Sequence, residues 1–473
     1  MKPRIVLILF LAMFCGAGCL SPARETAIGD QEAEKVEKSM GLVADPIALA
    51  YVRRVGERLS AVSSRPEGPW SFKIADSEEP NAFALPGGHV YVTRGLLALI
   101  NSEDELAGVI GHEIGHVTAR HSAKQVGAAV LTAPVTLASA IVGLAVGLVS
   151  PLLRDVVEGT GQLFTKGLVL APFGRVQENR ADEIGQTLAS LAGYDPAGLP
   201  RFLHTLGRDI ERMGVDESHF HFLNDHPMTE DRVAKTRERA ETLTRGEGTP
   251  LAATAAELFA KLDGLLVGAD PAQGVFRKSL FLHPGLDLAI DFPEGWETVN
   301  TADAAGAVNP EKDAVVALRL VAEDTTLDAA LQNAVKEQKG VVFERSKIRG
   351  LPAARTRHVS GGQTADITLI GFRGDVFAIV GQSSKKDAKG YEAIFEKTGR
   401  SFRALRKSER ESIRESRLRV RSARSQETAT SLATRTGSTW SAKELAVANG
   451  VEFDAHFSRG QAVKVAVPEP YSR

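Results

Sequence analysis

The run Leu106 to Ser122, LAGVIGHEIGHVTARHS, constrains the fold more than any other part of this 473-residue chain. Its apolar residues recur at i, i+3 and i+4, the period of an α-helix. Inside it lies His112-Glu113-Ile114-Gly115-His116. Residues four apart share one helix face, so the two imidazoles can chelate a single cation. Glu113, next to the first histidine, projects toward the same place without binding the cation. It can act there as a base on water, whose pKa a zinc ion brings to about 7.

Catalytic zinc usually has three protein ligands and an open position, so two histidines are insufficient. A pattern running on to a third histidine needs Gly and His where the chain has Ala119 and Ser122. His121 comes one residue early, points off the ligand face of a continued helix, and is expected on the surface. The third ligand is instead sought in Gln177-Glu178-Asn179-Arg180-Ala181-Asp182. On a helix Glu178 and Asp182 face together. Glu178 can bind the cation, and Asp182 can accept the second N–H of a ligand histidine and fix its tautomer.

Around these segments the pattern mixes helices and short strands. Thr26 to Val62 is helical by spacing and Trp70 to Ala75 is strand-like. NAFALPGGHVYVT, Asn81 to Thr93, carries a Pro86-Gly87-Gly88 turn signal followed by a β-rich run. Gly95–Ile100 and Glu103–Ser122 form two helices broken near Asn101, and Leu163–Leu191 is a further helix. A loose junction at Arg245–Pro271 leads to a mixed region. There LDLAIDF, AVVALRLV, DITLIGF and DVFAIVGQS look like strands, and Leu327–Gln338 and Tyr391–Thr398 like helices. Lys407–Arg424 is densely basic and is expected to be a solvated helix or linker.

NAFALPGGHVYVTRGLL, HEIGH, GRVQENRADEIG and HPMTEDR occur in that order. Together they resemble the HtpX / CAAX prenyl protease family of zinc metallopeptidases, in its exported BepA-like branch, over about Ala27 to Arg239. The resemblance implies an α+β fold: a mainly helical zincin-type domain with a small edge-stranded sheet. It implies one zinc ion per chain on His112, His116 and Glu178, with Glu113 as base and Asp182 behind the ligands. His226 matches a histidine that occupies the open zinc position and restrains activity, or else it simply starts a helix before Pro227. Arg232 either pairs with Asp182 or steadies the oxyanion. Ala82, Phe83, Ala84 and Leu85 match an edge strand on which a polypeptide substrate lies by β-augmentation. Glu113 would take a proton from the attacking water and later return it to the leaving amine.

The ends of the chain add location. Lys2 and Arg4, the apolar run Ile5–Phe14 and the small residues after it form a secretory signal, too short to span a bilayer as a mature helix. Gly16-Ala17-Gly18-Cys19 resembles a bacterial lipoprotein cleavage box, which implies a lipidated Cys19 and, with Leu20 next, anchoring to the outer membrane facing the periplasm. Gly16 departs from the large aliphatic residue of that box, so plain cleavage of the signal stays open. Cys15 and Cys19 are the two cysteines of the chain, which excludes a thiolate site or disulfide in the mature body. The apolar run Ala128–Ser150 is interrupted by Pro134 and reads as a helical hairpin on the protein or on a membrane surface.

At the other end, Leu418–Val467 reads strand–helix–helix–strand. Glu427-Thr428, Asn449-Gly450 and Gly460 to Val465 resemble the LysM module, which implies binding of peptidoglycan-type polymers. FPEGW, Phe292–Trp296, resembles the entry to PsbP-like domains. The expected domains are then residues 1–19, 20–250, 275–405 and 417–470. A net charge of -2, from 57 basic and 59 acidic residues, excludes bulk nucleic-acid binding. Two other functions remain open: a proteolytically quiet envelope chaperone or assembly factor, and a cell-wall binding protein with a structural metal.

Overall fold

The computed structural model describes residues 21–121, 173–213, 226, 230–301, 304–337, 342–360, 363–384 and 388–472. Cys19, the signal segment and the run Ala128–Ser150 lie outside the described residues. The described residues divide into two compact units, those within 1–133, 169–269 and 415–469, and those within 270–414 and 470–473. The architecture is α+β, with helices and several small sheets. Among the described residues no helix is long and apolar enough to cross a membrane.

The first unit opens with α1 (Pro22–Met40) and α2 (Pro46–Ala61). Each starts on a proline behind a side-chain cap. Ser21 accepts from the Arg24 amide, and Asp45 from those of Ile47 and Ala48. Three strands follow, β1 (Ser71–Ala75), β2 (Ala82–Leu85) and β3 (His89–Thr93), in the order β1-β3-β2. β1 runs parallel to β3, and β2 antiparallel to it. The β2–β3 turn needs its glycines, since Gly87 and Gly88 have φ of 87° and 106°.

Then come α3 (Arg94–Leu99), α4 (Glu103–Thr118), α5 (Arg175–Leu191), α6 (Gly198–Met213), α7 (Glu230–Thr242) and α8 (Ala255–Leu262). Ser102 caps α4 by accepting from the Glu105 amide, and Glu103, Asp104 and Glu105 complement its positive end. α4 and α5 meet backbone to backbone. A Cβ on Gly185 would lie 2.6 Å from the His112 nitrogen, and one on Gly115 2.7 Å from the Ala181 oxygen.

Residues 415–469 complete this unit. Strand Arg414–Ser422, helices Ala429–Thr436 and Ala442–Ala448, and strand Ala462–Pro470 follow in the order expected from the sequence. The first of these strands lies between the last and the short strand Leu266–Val267. Leu418, Val447, Ala448 and Ala466 join the same core as Ile110, Leu199 and Phe259. Lys464 is fully buried and donates to the Ala98 and Ile100 carbonyls at 2.8 and 2.7 Å, just ahead of α4. The basic stretch differs from expectation. After a short helix, Lys407–Ser412, it becomes a strand. Leu418 and Glu415 are buried there, and Arg417 and Arg419 are neutralised by Glu415 and Glu469.

The second unit is built on a seven-stranded antiparallel sheet, running in space from Glu344–Ile348 through Asp375–Ser384 to Glu297–Asn300. Alternate residues face two cores. Phe377 and Ile379 pack with Phe395, while Ala378 and Val380 pack with Leu327 and Leu331. A four-stranded sheet completes it.

Candidate metal centre

The glycine-lined crossing of α4 and α5 brings the HEIGH face of one helix against the Glu178–Asp182 face of the other. His112 and His116, one turn apart on α4, point their Nε2 atoms at a common place, 3.0 Å from each other. From α5, Glu178 Oε1 lies 3.2 Å from His116 Nε2, and Oε2 lies 3.5 Å from His112 Nε2. His226, from the segment before α7, closes the group: its Nδ1 lies 3.0 Å from Glu178 Oε1 and 3.3 Å from His112 Nε2. One ligand atom from each of His112, His116, Glu178 and His226 falls within 4.8 Å of the other three.

Glu113 is wholly buried beside this group, with Oε1 3.5 Å from His226 Nε2. Neither of its oxygens has a hydrogen-bond partner among the described residues. A buried carboxylate without a donor is costly, and a cation or water at the centre would supply the missing partner. Three imidazoles and one carboxylate are a nitrogen and oxygen donor set suited to zinc. The residues present therefore fit the metal that the sequence implies.

Surrounding groups set the protonation states. Burial holds the His116 imidazole well below its ordinary pKa, and so neutral, as a ligand must be. Burial pushes the Glu113 carboxyl up. Burial also pushes Glu178 up, but His226, His112 and His116 outweigh it and hold that carboxyl far below its usual range. In the same way burial opposes ionisation of Asp182, while Arg232 draws it down to about 2. His226 is disfavoured as a cation by burial, yet Glu178 and Glu113 raise it to about 9. A proton and a metal ion are alternatives on that ring.

Asp182 Oδ1 lies 2.8 Å from His112 Nδ1, which leaves Nε2 bare toward the centre. Arg232 from α7 pairs with Asp182. Its Nε and Nη2 donate to the two Asp182 oxygens at 2.7 and 2.8 Å, and its Nη1 lies 2.7 Å from Glu178 Oε2. Ala82, Phe83, Ala84 and Leu85 form β2, at the edge in the sheet order, and all four are buried. One residue is placed differently from expectation. His121 is not on the surface but 5% exposed, with Nδ1 3.1 Å from His116 Nδ1. α4 ends at Thr118 and Arg120 adopts φ 57°, so His121 does not continue that helix. The close helix crossing through Gly111, Gly115 and Gly185 was also missed, although glycines on the ligand faces of both segments were its visible signal.

A helix with two histidines and a glutamate base, crossed by a second helix bearing a glutamate, is the site plan of metallopeptidases that hold a cation on a His-His-Glu set. Residues 46–240 match the model of peptidase family M48. It is 31% identical over 253 residues to the beta-barrel assembly-enhancing protease of Yersinia pestis, covering 53% of this chain and 50% of that protein. It is 35% identical over 189 residues to the mitochondrial metalloendopeptidase OMA1 of Schizosaccharomyces pombe, covering 40% of this chain and 52% of the other. Against the metalloprotease LoiP of Escherichia coli it is 29% identical over 221 residues, 46% of this chain and 82% of that one. The chain thus spans about half the length of the first two relatives.

Proposed function

We propose that this protein is a zinc-dependent metalloendopeptidase of the bacterial cell envelope, hydrolysing peptide bonds of misfolded or misassembled envelope proteins. The observation that carries this reading is the buried His112, His116, Glu178 and His226 cluster, beside a Glu113 carboxylate that accepts no hydrogen bond from the described residues. One zinc ion per chain, held by His112, His116 and Glu178, would polarise the scissile carbonyl and acidify water. Glu113 takes the proton from the attacking water and returns it to the leaving amine. Asp182 and Arg232 keep His112 and Glu178 in their ligating orientation. A polypeptide substrate pairs along Ala82–Leu85 once that strand is uncovered, because strand addition needs open backbone groups.

His226 acts as a fourth, displaceable ligand that keeps the resting enzyme silent. Its burial within the ligand group supports this restraint. It also supports a second reading, in which the protein works for much of its life as a quiet chaperone or assembly factor. The name of the Yersinia relative, an assembly-enhancing protease, is compatible with both. A lipidated Cys19 would hold the protein at the outer membrane facing the periplasm, and the LysM-like residues 417–470 would contact peptidoglycan. The deciding experiment is cleavage of unfolded casein by zinc-loaded wild type and by Glu113→Gln. Loss of about 10²–10⁴-fold in rate with zinc retained is expected for removal of a general base. Undiminished cleavage by the variant refutes the assignment.

A further inference from the structure

We infer that His121 is a positioning residue for the metal ligand His116, the counterpart on that side of what Asp182 does for His112. The inference rests on the zinc reading of the site given above. A ligand imidazole must present one nitrogen without a proton, and the partner of its other nitrogen decides which one that is. His116 turns Nε2 toward His112 and Glu178, at 3.0 and 3.2 Å. Its other nitrogen, Nδ1, meets His121 Nδ1 at 3.1 Å. One of the two must carry the proton and the other accept it. With Nε2 of His116 given to a cation, the proton sits on His116 Nδ1 and His121 accepts as a neutral ring.

The chain is shaped to deliver that acceptor. In a continued helix a residue five after His116 points away from it. Arg120 instead adopts φ 57°, a left-handed conformation that residues other than glycine rarely take. The His121 ring lies edge-on to His116, with centroids 5.0 Å apart and planes at 75°. Arg120 is held by Glu25 of α1, whose Oε2 lies 2.8 Å from both its Nε and its Nη2. Glu25 is itself buried and lies 3.5 Å from Arg65 Nη1. Phe173 packs 4.0 Å from the His116 ring and 6.1 Å from that of His121, closing one side of the pair. The two ligand histidines are thus oriented differently, His112 by a carboxylate and His116 by a neutral imidazole that adds no negative charge.

The test uses the full chain, stripped of metal and titrated with zinc against a competing chelator. His121→Phe keeps an aromatic ring in the space but offers no acceptor, and His121→Gln offers an amide oxygen. The Phe variant should lose roughly 10–100-fold in zinc affinity. The Gln variant should recover most of that, and both metal-free proteins should melt close to wild type. The absorption spectrum of the cobalt-substituted protein should change in the Phe variant and return in the Gln variant. Wild-type affinity in His121→Phe overturns the inference, as does an equal loss in both variants accompanied by lower melting of the metal-free protein. If wild type itself takes up no zinc, the zinc reading fails together with it.

Discussion

Lys464 ties the C-terminal strand to the turn in front of the metal helix, and its titration should show in the stability of the first unit. Its Nζ donates to the Ala98 and Ile100 carbonyls, sits 4.7 Å over the Phe259 ring and faces the buried Glu105. Burial pushes its pKa down to about 7, with Glu105 opposing. In the unfolded chain a lysine keeps its proton to about 10.4. Below about pH 7 both states hold the proton, and the cost of enclosing the charge is fully present. Between the two values the unfolded state binds the proton and the folded state does not, so stability rises with pH, by about 1.4 kcal/mol per unit. The neutral amine still has two N–H donors, one for each carbonyl.

Lys464→Met keeps the stem, removes the titration and leaves both carbonyls without their donor, at about 1–3 kcal/mol each. At pH 9 deprotonating Lys464 still costs the wild type about 2 kcal/mol, so the variant should be less stable by about 0–4 kcal/mol. On descending to pH 7 the difference should move in the variant's favour by a further roughly 2–3 kcal/mol. Urea unfolding of the full chain, with Trp296 replaced by Phe so that Trp70 and Trp440 report on this unit, measures both quantities. A gap that stays constant from pH 7 to 9 would show that Lys464 remains an ammonium throughout and would refute the reasoning.

Three further outcomes are expected. Gly185→Ala puts a methyl group where backbone atoms of α4 stand 2.6–2.9 Å away. It should cost about 1–3 kcal/mol of stability in denaturant titration, and chelator competition should find zinc bound at least about 10-fold more weakly as Glu178 is pushed away from His112. His226→Ala should raise basal cleavage of unfolded casein while metal analysis still finds zinc, whereas a lower rate with zinc unchanged would sink the restraint. Mass spectrometry of membrane-extracted protein should find a lipid-modified Cys19, and a lipid-free N-terminus at or after Leu20 would rule out the anchor.

The grouping of side chains at the candidate metal centre is legible in the sequence as far as it follows helical spacing. His112 with His116, and Glu178 with Asp182, are each four apart, so local periodicity puts each pair on one face. What periodicity does not carry is where a helix stops. His121 was misplaced because α4 was extended to Ser122, while the helix ends at Thr118 and Arg120 adopts a left-handed conformation. A left-handed arginine has no local signature, since Glu25, almost a hundred positions earlier, is what holds it. The same limit hid the strand at 414–422. Arg419 there read as solvated because its partners, Glu469 and Asp263, are remote in sequence. Lys464 looked like an ordinary surface lysine in AVKVAV, and only the fold reveals the two carbonyls that enclose it.

The core shared by Ile110, Phe259, Leu418 and Ala466 has a bearing on the order in which the protein is made. The last 55 residues of the first unit, 415–469, are made, and would be exported, only after the whole of residues 270–414. At about 5–20 residues per second, the newly made segment through residue 269 waits roughly 10–40 s for its closing strand. During that interval the face of the unit that receives Leu418, Val447 and Ala466 stays open, and the turn before α4 lacks its lysine. The contacts that Lys464 makes with the turn before α4 are therefore among the last to form, a delay set by the order of the chain.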